Sequence, residues 1–153
     1  MKNKHHYHLA EILVVEDEED HSRLIKKTLE AIGQLRNDIV LIENGQEALD
    51  YLRKEGSYAG SDHSMPILIL LDIKLPLKNG FEVIQELKAD KELKNIPVVV
   101  LTTASSKEDI ERAMSMGAND YITKPVKFDD FRNKVNSLGY YWGIVSDAHR
   151  LFD

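Results

Sequence analysis

Short, wholly apolar runs alternate along this chain with stretches of helical period, and that alternation constrains the fold more than any other feature. Ile12-Leu13-Val14-Val15, Ile39-Val40-Leu41-Ile42, Ile67 to Leu71 and Val98-Val99-Val100-Leu101 are too short for helices and rich in β-branched residues. They read as strands buried on both faces, and Tyr121-Ile122-Thr123 as a briefer fifth. Between them the apolar period changes. From about Asp20, Leu24, Ile25, Thr28, Leu29 and Ile32 share one helical face, with Gly33 as the stop. The turn pair Asn44-Gly45 precedes a helix marked by Ala48, Leu49 and Leu52 that ends near Gly56. Phe81, Val83, Ile84 and Leu87 mark a third helix after Asn79-Gly80. Ser105 and Glu108 have capping-box spacing for a fourth, through Ile110, Ala113 and Met114 to Gly117. Strands alternating with helices predict a parallel sheet covered on both faces, because the crossovers must be right-handed. Ile67 to Leu71, the most apolar run, belongs at the sheet centre, and Ser57 to Met65 is a surface loop longer than such a unit needs.

A chain of 153 residues, 42% hydrophobic and 30% charged, is sized for one globular domain with its own core. No linker or repeat divides it. The absence of cysteine excludes disulfides, thiolate metal sites and cysteine nucleophiles. A net charge of -6 argues against a protein that grips nucleic-acid phosphates. No apolar run is long enough to cross a bilayer, and Met1 to Leu9 is basic and histidine-rich without the apolar stretch of a secretory signal. A cytoplasmic protein with a flexible tail over 1–9 is expected. His5, His6 and His8 fit a tail better than a metal site, and His21, His63 and His149 read as surface residues.

After Lys124-Pro125 a last helix is expected. Phe128, Phe131, Val135, Leu138, Trp142 and Val145 recur at steps of three and four, and Tyr141, Ile144, Ala148 and Leu151 form a second apolar line. Gly139 and Gly143 each weaken such a helix by about 1 kcal/mol relative to alanine, so packing must compensate. Two readings stand: a helix folded on its own sheet, or an extension over 139–153 that makes a homodimer through Phe131, Tyr141, Trp142 and Val145.

In an open parallel sheet, ligands gather beyond the carboxyl ends of the strands. The predicted strands deliver Glu16 and Asp17, Asp72, Thr102, and Lys124 followed by Pro125 to that end. Three carboxylates in one crevice raise one another's pKa unless a cation sits among them. An all-oxygen donor set favours magnesium over zinc or copper. Lys124 and Thr102 suit phosphate oxygens, and a carboxylate at the focus can be the nucleophile of a phosphoryl transfer. Taken alone, Glu16-Asp17-Glu18-Glu19-Asp20 is an ordinary acidic helix start, Asp72 a cap, and Tyr121 a core aromatic. Their agreement in order is what lifts Asp17 and Asp72 above that reading.

Glu16-Asp17 after a strand, Asp72 before Ile73-Lys74-Leu75-Pro76, Gly80, Thr102, and Tyr121 to Pro125 resemble the receiver domain of bacterial response regulators over residues 10–138. The long loop after the second helix and Tyr140-Tyr141-Trp142 further resemble the single-domain receivers that partner phytochromes. The resemblance implies a flavodoxin-like five-stranded sheet of order 2-1-3-4-5 with five helices, the last one extended. It implies that Asp72 accepts a phosphoryl group from a sensor histidine kinase or a phosphotransfer protein. Glu16, Asp17, Asp72 and the Lys74 carbonyl would hold Mg2+, and Lys124 would pair with Asp72. Thr102 and Tyr121 would switch, and the Lys124-Pro125 bond would be cis. Output would be by protein contact, with no direct nucleic-acid or membrane partner. Two departures from the family pattern stand out: Glu16 where aspartate is commoner, and Lys74, which with Ala104 would set the phosphate lifetime. The rivals are an enzyme on the same scaffold, such as a nucleotide-binding protein or an aspartate-based phosphatase, for which this chain lacks a Gly-rich phosphate loop and a second carboxylate two positions after Asp72, and a phosphate-independent interaction module.

Overall fold

The structure, a computed structural model, describes residues 11–30, 38–103 and 106–133. Five parallel strands, β1 (Ile12–Val15), β2 (Ile39–Ile42), β3 (Leu68–Asp72), β4 (Val98–Thr103) and β5 (Asp120–Lys124), lie in the order β2-β1-β3-β4-β5. Helices α1 (Glu19–Glu30), α2 (Gly45–Arg53), α3 (Gly80–Ala89) and α4 (Lys107–Ser115) connect them, and a fifth helix begins after β5 and is described over 128–133. The three inner strands β1, β3 and β4 are buried on both faces and leave no room for polar alternation, which is why their sequences up to the carboxyl end are continuous apolar runs.

The pleat divides the core into two layers. Leu13, Val15, Ile69, Leu71, Val98 and Val100 pack with α2, α3 and Ala113 on one face. Ile12, Val14, Leu68, Leu70, Val99 and Leu101 pack with Ile25, Leu29 and Phe131 on the other. Phe131 is only 2% exposed. It therefore fills this chain's own core and is not available as a contact between copies. Tyr141, Trp142 and Val145, with the whole 139–153 extension and the 1–9 tail, lie outside the described residues.

Several local expectations change. Leu24 is 47% exposed, because the buried stripe of α1 runs through Ser22, Ile25, Thr28 and Leu29. Asn44-Gly45 is not a turn pair. The Asn44 side chain accepts a hydrogen bond from the Glu47 N–H at 2.7 Å and caps α2, which ends at Arg53 with Lys54 in the left-handed conformation. The next segment forms a short 3-10 turn, Gly56–Tyr58. Helix α4 starts with Ser106 at the cap position. Its hydroxyl lies 2.7 Å from that of Thr103 and makes no cap bond. Ser105 and Gly33 lie outside the described residues.

The loop after α2 is also less of a surface loop than its sequence suggests. His63 stacks on Tyr51 at 3.9 Å with the rings 7° apart, and Tyr58 meets Tyr51 edge-on at 5.0 Å. His63 Nε2–H donates to the Tyr51 carbonyl at 2.9 Å, so His63 is not an unattached surface residue.

Candidate functional site

Parallel register decides which residues meet at the carboxyl edge. Val15 pairs with Leu71, which sets Glu16 beside Asp72. Asp72 pairs with Leu101, so Thr102 follows one step on, and Thr103 pairs with Lys124. Helix α3 is pressed against the same edge. A Cβ at Gly80 would fall 2.6 Å from the Asp72 carbonyl oxygen, so only glycine lets α3 start there, and the Gly80 N–H donates to the Ile73 carbonyl at 2.7 Å. Asn79 and Glu82 close a capping box that fixes this helix start.

The result is a crevice of about 370 Å³ reaching from Asp17 and Asp72 past Thr102 to Lys124 and Pro125. Asp72 and Glu16 are buried, and Asp17 stands exposed at the rim. One carboxylate oxygen from each of the three lies within 4.8 Å of the others. The Lys124 ammonium is 2.8 Å from Asp72 Oδ2 and 2.6 Å from Glu16 Oε1. The Lys74 N–H donates to Asp72 Oδ1 at 3.1 Å, while the Lys74 side chain points to solvent. Thr102 is 5% exposed, its hydroxyl turned to the Thr103 carbonyl at 3.5 Å. Tyr121 is 38% exposed, and the Lys124–Pro125 peptide is cis.

Burial raises the Glu16 pKa above the usual carboxylate value, and the neighbouring Asp72 charge adds to that, against the opposing bond from Lys124. For Lys124, burial works to lower the pKa, but the bonds to Asp72 and Glu16 outweigh it and leave the ammonium held above its ordinary value. When all three carboxylates are ionised, Lys124 leaves two negative charges uncompensated, the charge of one divalent cation. The oxygen-only donors fit magnesium or manganese, and a spread of no more than 4.8 Å suits the about 4.2 Å between opposite oxygens of a magnesium octahedron.

The sequence-predicted residues Glu16, Asp17, Asp72, Thr102 and Lys124 are thus brought to one place. His21 was not expected there. Its Nδ1 sits 3.7 Å from Glu18 Oε2 and 3.9 Å from Glu16 Oε2, on the crevice wall. The helical period starting near Asp20 was the available signal, since it sets the first turn of α1 over the end of β1. Ser106 at the cap of α4 and Asp109 in its first turn also line the crevice.

Fold and site together define a class: doubly wound α/β domains that gather an acidic cluster and a lysine where strand order reverses. Comparison with known proteins narrows it. Residues 12–136 match the response regulator receiver domain, and the chain belongs to that family. It is 40% identical over 131 residues to the probable methanogenesis regulatory protein FilR2 of Methanothrix harundinacea, covering 86% of this chain and 82% of that one. It is 36% identical to response regulator Rcp1 of Synechocystis sp., covering 86% and 87%. Among solved structures, the bacteriophytochrome response regulator AtBRR is similar at 40% identity and a TM-score of 0.76, covering 86% and 93%. The phosphorylated cyanobacterial phytochrome response regulator RcpA is similar at 41% and 0.72, covering 87% and 93%. The Mn2+-bound form of Rcp1 is similar at 34% and 0.72, covering 87% and 94%. Receiver domains are signalling domains of two-component systems that bind a divalent metal, and they do not turn over a separate substrate. Among the described residues, no helix is long and apolar enough to cross a membrane.

Proposed function

We propose that this receiver, working in the cytoplasm, takes a phosphoryl group onto Asp72 from the phosphohistidine of a sensor kinase or a phosphotransfer protein and relays the change to protein partners. The observation that carries the proposal is the double hold of Lys124 on Asp72 and Glu16 beside Asp17. An Asp72 carboxylate oxygen attacks phosphorus, the P–N bond breaks, and its electron pair returns to the imidazole ring. Lys124 faces the growing negative charge on the phosphoryl oxygens, and water later hydrolyses the mixed anhydride. Glu16, Asp17, Asp72 and the Lys74 carbonyl would hold Mg2+, which when bound neutralises phosphoryl charge.

In this reading the Thr102 hydroxyl leaves the Thr103 carbonyl for a phosphate oxygen, Tyr121 turns inward, and Pro125 keeps Lys124 aimed at the crevice. A pre-existing balance between two conformations shifts as a result. Lys74 and Ala104, the latter outside the described residues, set how water reaches the anhydride. The receiver occupies residues 10–138, and 139–153 joins two copies into a homodimer through Tyr141, Trp142 and Val145. The likeness to RcpA and AtBRR supports a phytochrome-type kinase as donor.

Incubation with Mg2+ and acetyl phosphate, read by intact mass, is expected to add one phosphoryl group to the wild type and none to Asp72→Ala. A gain that survives in Asp72→Ala removes Asp72 from the role. A Trp142→Ala variant and a wild type that scatter alike with the mass of a monomer remove the dimer.

A further inference from the structure

We infer that Leu77 is the anchor by which the phosphodonor protein docks beside Asp72, its side chain entering an apolar socket on that protein. The inference rests on the reading of Asp72 as phosphoacceptor. It starts from a backbone outlier: Leu77 has φ +66, a left-handed conformation that a leucine Cβ opposes. The Lys78 N–H donates to the Pro76 carbonyl at 2.7 Å, two residues back. This closes a γ-turn of the rare positive-φ kind around Leu77. Glycine or asparagine would relieve the strain.

The side chain gains nothing within the fold in return. Leu77 is 77% exposed, against 47% for Leu24, the next most exposed large apolar residue among those described. A single apolar side chain on a surface needs no explanation. An apolar one at the tip of a strained turn carries two costs at one position, and strain of this kind persists only where the surroundings enforce it.

The surroundings do enforce it. Lys78 forms an ion pair with Glu86 of α3, and the Asn79 capping box fixes the next residue. A Cβ at Gly45 would fall 2.0 Å from the Lys78 carbonyl oxygen, so α2 is packed hard against the same turn. The turn is thus rigid, and a rigid anchor loses little conformational entropy when it is captured.

Position selects the occupant. Asp72 is 5% exposed, so a protein donor must seat itself over the crevice to bring phosphorus to it. An ordinary interface covers about 800 Å² on each partner, a disc of roughly 16 Å radius. The loop from Ile73 to Gly80 is closed at its base by the Gly80 to Ile73 hydrogen bond, so its tip lies within roughly 13 Å of that base. A donor seated on Asp72 therefore has Leu77 within reach of its rim.

The test compares a small donor with a protein donor on wild type, Leu77→Asn, Leu77→Gly and Leu77→Met. The protein donor is the self-phosphorylated histidine kinase, from those of the same organism, that transfers fastest to the wild type. Asparagine and glycine are expected to lower kcat/KM for the kinase by about tenfold or more, through KM, with methionine within about twofold of wild type. Acetyl phosphate is expected to label all four proteins at one rate, and the Leu77→Asn unfolding midpoint to equal or exceed that of the wild type. Wild-type transfer to Leu77→Asn overturns the inference. So does an equal slowing with acetyl phosphate, a lowered midpoint, or a change confined to the mass of the assembly. Failure of the wild type to accept phosphate from any donor has a different signature and overturns the reading of Asp72 itself.

Discussion

Two polar clusters in this molecule invite comparison: the crevice at the strand ends, and the aromatic clamp that ties the long loop to α2. In the clamp each aromatic side chain finds a hydrogen-bond partner within the fold. The Tyr51 hydroxyl bonds Glu11, the Tyr58 hydroxyl bonds Glu47 at 2.6 Å, and His63 bonds the Tyr51 carbonyl. In the crevice the same kinds of group are gathered with one cation too few. Glu16 and Asp72 share a single ammonium, and Asp17 stands beside them at the rim. A cluster whose polar groups are paired within the fold stabilises it, whereas one left with excess negative charge gains further stability from a cation. Buried polarity alone therefore does not mark a functional site; the uncompensated remainder does.

The comparison breaks most sharply at Lys124. Lys124→Met leaves two buried carboxylates without their counter-ion and should cost about 3 kcal/mol in chemical denaturation. Millimolar Mg2+ should return part of that loss, giving a larger metal-induced stabilisation in the variant than in the wild type. A variant as stable as the wild type without metal would show that the crevice carries no excess charge.

Tyr51→Ala tests the other cluster. Tyr51 is 6% exposed between Tyr58 and His63, and its loss should cost about 3 kcal/mol while acetyl phosphate labels Asp72 at the wild-type rate. Slowed labelling would join the two regions that are here held separate. The smallest effect is a pH effect. Burial and the bond to Glu47 push the Tyr58 phenol up to about 12, so the fold favours the neutral ring. Its contribution is intact below the ordinary value of 10 and is lost as pH rises through about 12. Between those limits Tyr58→Phe should lose stability less steeply than the wild type, and absorbance titration should show the Tyr58 and Tyr51 phenols ionising late, the latter raised by burial and its bond to Glu11.

The same contrast explains what could be read from the sequence. Strand ends are legible because apolar runs are short and a parallel register leaves few alternatives. Once Val15 and Leu71 are read as last core residues, Glu16, Asp17 and Asp72 must adjoin. Lys124 and Thr102 follow by the same logic. The clamp was illegible because its three rings are 5 to 12 residues apart across a loop with no period, and nothing local tells His63 that Tyr51 will be beneath it. Leu24 was misplaced because helical period fixes an angular stripe but not its edges. Phe131 matched the seam spacing of a partner contact, yet the same spacing serves a helix folded on its own sheet, and there the core claimed it. The φ of Leu77 has no sequence signal, since leucine is not a residue that favours that conformation.

The reach of Lys124 has one more consequence. It leaves β5, an outer strand, passes the end of β4, and grips side chains carried by β3 and β1. An edge of the sheet is thereby moored to its middle through one flexible chain of methylenes. A change of charge at residue 72 would act directly on the side chain that holds this edge, and the amides of β5 are where its arrival would first be timed.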